Sequence, residues 1–281
     1  MNLSETAFVA LGWKQGEKLS SSDMRTIRWF TPTNEVPLCG HATVASAKVL
    51  ATLIPPPTTE DPTQDVARTL TFESKVNGAL GATINWTNGL ISLNFPANVP
   101  KQLDLKGKVW GESMLKAILG PNSNPAEDVM DILYAERPKI LMVRLQDGLT
   151  EEGLLKVKSD SARMLSIDTE GIVCDVIVTV KGSDEGKNGK PHFFSRFFAP
   201  WDGIDEDPVT GLAHTVLTPY WTAEYGNDCG QLIAKQHSKR GGDLKCTLIG
   251  DRVQITGNAR VIIKGEIYNS LYAPKKKENK K

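Results

Sequence analysis

Hydrophobic and polar positions alternate with a period of two over residues 69–95, and residues 6–11, 24–31, 139–145, 172–180 and the aromatic, apolar 192–198 also read as strands. Asn88-Gly89 divides the 69–95 stretch into two alternating runs, which predicts a hairpin. A second hairpin is predicted over residues 251–267, turning at Gly257-Asn258. Helical spacing appears in three places: residues 41–54, 112–119 and 212–220. Residues 151–165 are polar and partly helical. The 41–54 helix is small and apolar nearly all round, which predicts a helix buried on every side. Residues 12–23, 55–62, 121–128 and 181–190 are turn-rich or charged loops, and 96–108 is a linker. Many strands around two apolar helices predict an α+β protein and exclude a doubly wound sheet.

One grammar occurs twice. Residues 192–198 form a strand, Pro200, Gly203 and Pro208 break it, and a helix starts after Gly211. Residues 28–50 repeat it. Arg28, Phe30 and Pro32 correspond to Arg196, Phe198 and Pro200 at an offset of 168, and Glu35, Pro37, Gly40 and Ala42 to Glu206, Pro208, Gly211 and Ala213 at an offset of 171. One three-residue insertion reconciles the two offsets. The chain therefore reads as two pseudo-symmetric halves, each presenting a helix N-terminus. If the halves face each other, both helix starts open into one cleft, where their free NH groups suit a carboxylate.

Composition narrows the function classes. The 281 residues are enough for two domains and two cores, and 40% hydrophobic with 23% charged residues is ordinary for a globular protein. Zero net charge gives no drive toward nucleic acid or an anionic membrane. Cys39, Cys174, Cys229 and Cys246 form no CxxC pair, so neither a disulfide framework nor a zinc site is expected. With no membrane-length apolar run and no secretory signal, a cytoplasmic protein is expected. There is no phosphate loop, no dinucleotide fingerprint and no cluster of metal ligands, so no cofactor and no metal is expected.

By residue type and spacing alone, each candidate for chemistry has two readings. Asp207, beside Glu206 and just ahead of a helix, either caps that helix or works in a site. Glu206 is the more structural of the two, because Glu35 occupies its place in the other loop. Glu5 alone would be a solvated charge. His41 either satisfies a loop carbonyl or lines the cleft, and a helix N-terminus should keep it neutral. His214 is a weaker contributor of the same kind. Cys39 is either a small buried thiol or a thiolate depressed by the helix start.

The motifs NLSETAF (2–8), RWFTPTNEVPLCGHAT (28–43), SRFFAPW (195–201) and EDPVTG (206–211) resemble the signatures of the PhzF, or phenazine biosynthesis-like, family, and especially its animal members. The resemblance runs over nearly the whole chain. It implies a diaminopimelate epimerase-like fold in which each half is a mixed sheet or barrel around a central apolar helix. The halves would be residues 1–105 and 106–274, with 275–281 a basic, disordered tail. Family members usually carry a further strand, a Gly-Asn-Pro loop and a helix ahead of NLSE, so the first half is expected to lack a segment.

The resemblance also implies a function: cofactor-independent isomerisation of a small carboxylate, by proton movement on a cyclic dihydroxyanthranilate-type substrate. It assigns Glu5 as acid/base, Asp207 and His41 as polarisers, and Ser4, Gly40, Gly211 and Leu212 to substrate binding, with Cys39 as the alternative base. Leu212 departs from the small residue, often serine, of many relatives. Thr210-Gly211 offers no second thiol opposite Cys39-Gly40, which excludes a two-cysteine epimerase. A homodimer is expected. The alternative from another class is a catalytically silent, protein-binding member of the fold, and a thermal-shift screen with cyclic carboxylates separates the two.

Overall fold

The computed structural model describes residues 5–11, 25–56 and 66–266, apart from 77, 106, 184, 185 and 227. Ser4, the 275–281 tail and the 12–23 loop fall outside the described residues. The first half contributes β1 (Thr6–Ala10), β2 (Arg25–Phe30), β3 (Glu35–Val36), α1 (Gly40–Leu53), β4 (Ala67–Ser74), β5 (Gly78–Asn85) and β6 (Ile91–Pro96). The remainder contributes β7 (Lys101–Gln102), α2 (Gly111–Leu119), α3 (Pro125–Asp128), β8 (Val129–Ala135), β9 (Ile140–Leu145), α4 (Thr150–Lys156), α5 (Ser161–Ser166) and β10 (Asp175–Lys181). It ends with β11 (Phe193–Phe198), α6 (Gly211–Tyr225), β12 (Gln231–Gln236), β13 (Gly242–Ile249) and β14 (Arg252–Gly257).

The strands form one sheet in the order β1-β2-β4-β5-β6-β14-β13-β12-β11-β10-β9-β8-β7, with β3 paired to β2. This order is a palindrome about β6 and β14, which pair antiparallel. From β1 inward the pairings run antiparallel, parallel, antiparallel, antiparallel. From β10 inward they run the same way. The internal repeat is thus a repeat of topology. Beyond β10 the second half adds β9, β8 and β7, whereas β1 has no outer neighbour among the described residues.

Each central helix is fixed by the apolar faces of its own half. The main core joins both halves, running from Ile27, Trp29 and Phe72 through Leu50 to Val216, Leu217 and Trp221. A second cluster lies on the other side of β9–β11, under α2, α4 and α5. The two cores therefore divide by sheet face and not by half.

Helix α6 is buried along almost its whole length, from Ala213 to Thr222. Helix α1 is not, which corrects the expectation of a helix buried on every side: Val49 and Leu53 are 45% and 44% exposed. Their counterparts at the 171 offset are Tyr220 and Glu224. Tyr220 is buried, its hydroxyl donating to Asp131 of β8 at 2.6 Å, whereas Glu224 stays exposed, its carboxylate 3.2 Å from Arg144 of β9. Helical composition sets how apolar a face is, and the neighbouring strands decide whether it is covered.

The contrast gives a stability prediction. Leu217→Ala, in the fully buried helix, should cost about 2–5 kcal/mol, and Leu53→Ala should change stability by less than about 1 kcal/mol. Chemical denaturation of the two variants measures the difference.

The 251–267 hairpin is also corrected. β14 uses one edge for β13 and the other for β6, so no edge remains for a return strand. Residues 258–266 continue without strand structure and leave Ile262 and Ile263 exposed.

Candidate functional site

The repeated loops are held shut by a repeated ion pair. Arg28 donates to both carboxylate oxygens of Glu35, at 2.8 and 2.7 Å. Arg196 grips Glu206 in the same way, at 2.6 and 3.1 Å. Such bidentate forks fix orientation as well as distance, so Glu206 is a loop clamp. The clamped loops deliver the two helix starts to each other. A Cβ on Gly40 would stand 2.9 Å from the Gly211 Cα, and one on Gly211 would stand 3.0 Å from the Gly40 Cα. Only glycine allows this backbone contact. Neither N-cap residue, Cys39 or Thr210, caps its helix with a side-chain hydrogen bond, and both helix starts line one cleft.

Glu5, immediately before β1, reaches His41 in the first turn of α1, with Oε2 3.1 Å from Nε2. The other ring nitrogen, Nδ1, lies 3.0 Å from the Val209 carbonyl in the opposite loop. A carbonyl only accepts, so Nδ1 carries a proton and the imidazole bridges the two halves. Burial works against the imidazolium. Hydrogen bonds to Cys39 and Glu5, with Asp207 nearby, outweigh it and raise the His41 pKa to about 11. The expectation that a helix N-terminus keeps His41 neutral is therefore corrected: local acidic partners overcome the dipole.

Cys39 is 5% exposed and its Sγ lies 3.7 Å from His41 Nδ1. Burial is the largest influence on the thiol and pushes its pKa up, against the depression expected from the helix start. The donor atoms of Glu5, Cys39 and His41 lie within 4.8 Å of one another, close enough to hold a metal ion, a cluster of possible ligands that the sequence did not reveal.

A pH effect follows. The folded-state pKa of His41 is above its unfolded value, so its stabilising contribution is fully present below about pH 6.5. That contribution is lost as pH rises through about 11. Wild-type melting temperature should fall over this window more than that of His41→Asn. Parallel curves would show that His41 is not charged in the folded protein.

Asp207 sits across the cleft in a built-in bracket. Thr210 Oγ1 donates to its Oδ2, and Gln236, fully buried, donates to the Asp207 carbonyl at 2.8 Å and accepts from the Thr210 NH at 2.8 Å. Its other carboxylate oxygen is buried without a hydrogen-bond partner. Burial is the main influence and raises its pKa, partly opposed by His41.

His214, by contrast, is not a cleft residue. It is fully buried beside Phe193, its Nδ1 lies 2.7 Å from the Thr210 carbonyl, and burial lowers its pKa to about 4. It supports Thr210 from below.

The cleft these residues line has a volume of about 650 Å³ and includes Gly40, Gly211 and Leu212. That volume suits one small molecule. Arg137, Lys139 and Arg252 stand along it, together with the carboxylates of Glu5, Asp175, Asp202 and Asp207. Two lining carboxylates, Asp175 and Asp202, were not singled out from the sequence. In both, burial is the main cause of a raised pKa. Asp175 opens an apolar strand and was hidden by it, although extending the repeat one element backward would have found it.

No helix among the described residues is long and apolar enough to cross a membrane. Residues 1–265 match the family model described as phenazine biosynthesis-like protein. A phenazine biosynthesis-like domain-containing protein of Bos taurus is 38% identical over 269 residues, which cover 95% of this chain and 85% of the relative. A Pseudomonas aeruginosa protein named as an uncharacterized isomerase is 38% identical over 266 residues, covering 95% and 83%. A solved PhzF family structure from Enterococcus faecalis superposes with a TM-score of 0.70 at 32% identity, covering 95% of this chain and 84% of that one. The chain belongs to the phenazine biosynthesis-like, or PhzF, family and has its diaminopimelate epimerase-like fold.

Proposed function

We propose that this protein is a cofactor-independent isomerase that moves a proton on a small cyclic carboxylate. The observation that carries this reading is the Glu5–His41 pair, 3.1 Å apart, set beside two helix N-termini in glycine-to-glycine contact. Glu5 is the base: the His41 imidazole, 3.1 Å away, orients its carboxylate for proton uptake. The first-turn NH groups at Gly40 and Gly211 receive the substrate carboxylate. Asp207, with one oxygen tied to Thr210 and one buried without a partner, contacts a polar group of the substrate. Leu212 bounds the ring. The buried, uncharged thiol of Cys39 is a poor base, which favours Glu5. The isomerase name of the Pseudomonas aeruginosa relative points the same way.

The test is a thermal-shift screen of cyclic and aromatic carboxylates, with each stabilising compound then incubated in heavy water. Stabilisation followed by deuterium at a carbon-bound position supports the proposal. Binding without exchange, across all stabilising compounds, rejects it.

A further inference from the structure

The pseudo-two-fold symmetry gives every cleft residue a counterpart. In the first half, β1 pairs antiparallel with β2, with Thr6 opposite Phe30. In the second, β10 pairs antiparallel with β11, with Val176 opposite Phe198. Phe30 and Phe198 are equivalent in the repeat, so Thr6 corresponds to Val176, and the residues just before them, Glu5 and Asp175, correspond to each other. Both are carboxylates and both line the cleft.

Their surroundings differ in one respect. Glu5 meets His41. The counterpart of His41, 171 residues on, is Leu212, which offers no hydrogen bond. Asp175 is only 6% exposed, and its Oδ1 is buried without a partner. An unpartnered carboxyl oxygen at this depth costs stability unless it serves a ligand.

We propose that Asp175 is the second proton carrier of the cleft, the acid that delivers a proton to the substrate from the second half while Glu5 removes one from the first half. This rests on the isomerase reading above. Burial, followed by the charges of Asp202 and Asp207, holds the Asp175 carboxyl well above the usual carboxylate range, so it carries its proton at neutral pH.

The step balances without a redox partner. The Glu5 carboxylate forms an O–H bond as a substrate C–H bond breaks, and that electron pair enters the conjugated system. The Asp175 O–H bond breaks and its proton forms a new C–H bond at another carbon. Glu5 is left protonated and Asp175 ionised, and exchange of one proton with water resets both. Two carboxyls at equivalent places thus stand in different surroundings, Glu5 beside His41 and Asp175 buried near Asp202 and Asp207.

The test uses Asp175→Asn, an isosteric change that keeps a neutral side chain, with a hydroxylated dihydroanthranilate as probe in heavy water. Asp175→Asn should melt no lower than wild type. Its isomerisation rate should fall at least about 100-fold. Deuterium exchange at the carbon deprotonated by Glu5 should continue near the wild-type rate, with KM unchanged. Isomerisation and exchange that are both unaffected, or that fall together, overturn the proposal. A wild-type protein that neither isomerises nor exchanges the probe counts against the isomerase reading itself. A second readout is independent of turnover: the infrared difference between wild type and Asp175→Asn at neutral pH. A protonated-acid carbonyl band lost in the variant supports the assignment, and an ionised carboxylate band in its place overturns it.

Discussion

Glu5→Gln is expected to abolish exchange of substrate protons with solvent and to leave ligand binding nearly intact. Glutamine preserves the length of the side chain and still accepts a hydrogen bond from His41 Nε2, 3.1 Å away in the wild type. It cannot take up a proton. Loss of a positioned general base costs about 10²–10⁴-fold in rate, whereas the helix NH groups proposed to hold the carboxylate are untouched. Exchange measured by mass spectrometry and binding measured by thermal shift should therefore separate. Equal exchange in variant and wild type would remove Glu5 from the mechanism and bring Cys39 forward as the base.

Gly40→Ala should be damaging in a different way, through geometry. The added methyl would stand 2.9 Å from the backbone of Gly211, and a backbone cannot turn aside as a flexible side chain can. The two helix starts must separate. Overpacking of this kind costs about 1–3 kcal/mol, and a shift of about 1 Å in the anion site can cost about 100-fold in rate. Gly148→Ala is the control, since a Cβ there meets nothing within 4 Å. Denaturant melts and exchange assays on both variants measure the two effects. A Gly40→Ala protein as stable and as active as wild type would mean that the helix starts do not need their close contact.

The halves and the site were legible to different degrees, for physical reasons. The 168 and 171 offsets located both helix starts because the clamps, the prolines and the glycines of each loop are fixed by local geometry. Arg28–Glu35 and Arg196–Glu206 lie close in sequence and close in space. Chemistry that depends on distant partners was hidden. The raised pKa of His41, opposed by burial, depends not only on Cys39 two residues away but on Glu5 and Asp207, which only the tertiary fold brings near. The closure of the sheet through β6 and β14 joins strands from opposite ends of the chain and carries no local signal. It is also what leaves residues 258–266 without a place in a hairpin. The exposed side of α1 could not be read from its apolar composition, because coverage depends on which distant strands pack against it. Asp175 sits at the head of an apolar strand, where an isolated acid reads as a strand terminus.

On the proposed function, the cleft moves a proton at a carbon of a bound carboxylate. The most direct test is site-resolved deuterium incorporation by the wild-type protein, in heavy water, into a cyclic carboxylate that stabilises it in a thermal melt. The expected result is incorporation at a carbon-bound position, lost in Glu5→Gln. Tight binding with every carbon-bound proton retained, for each stabilising carboxylate, would contradict the claim.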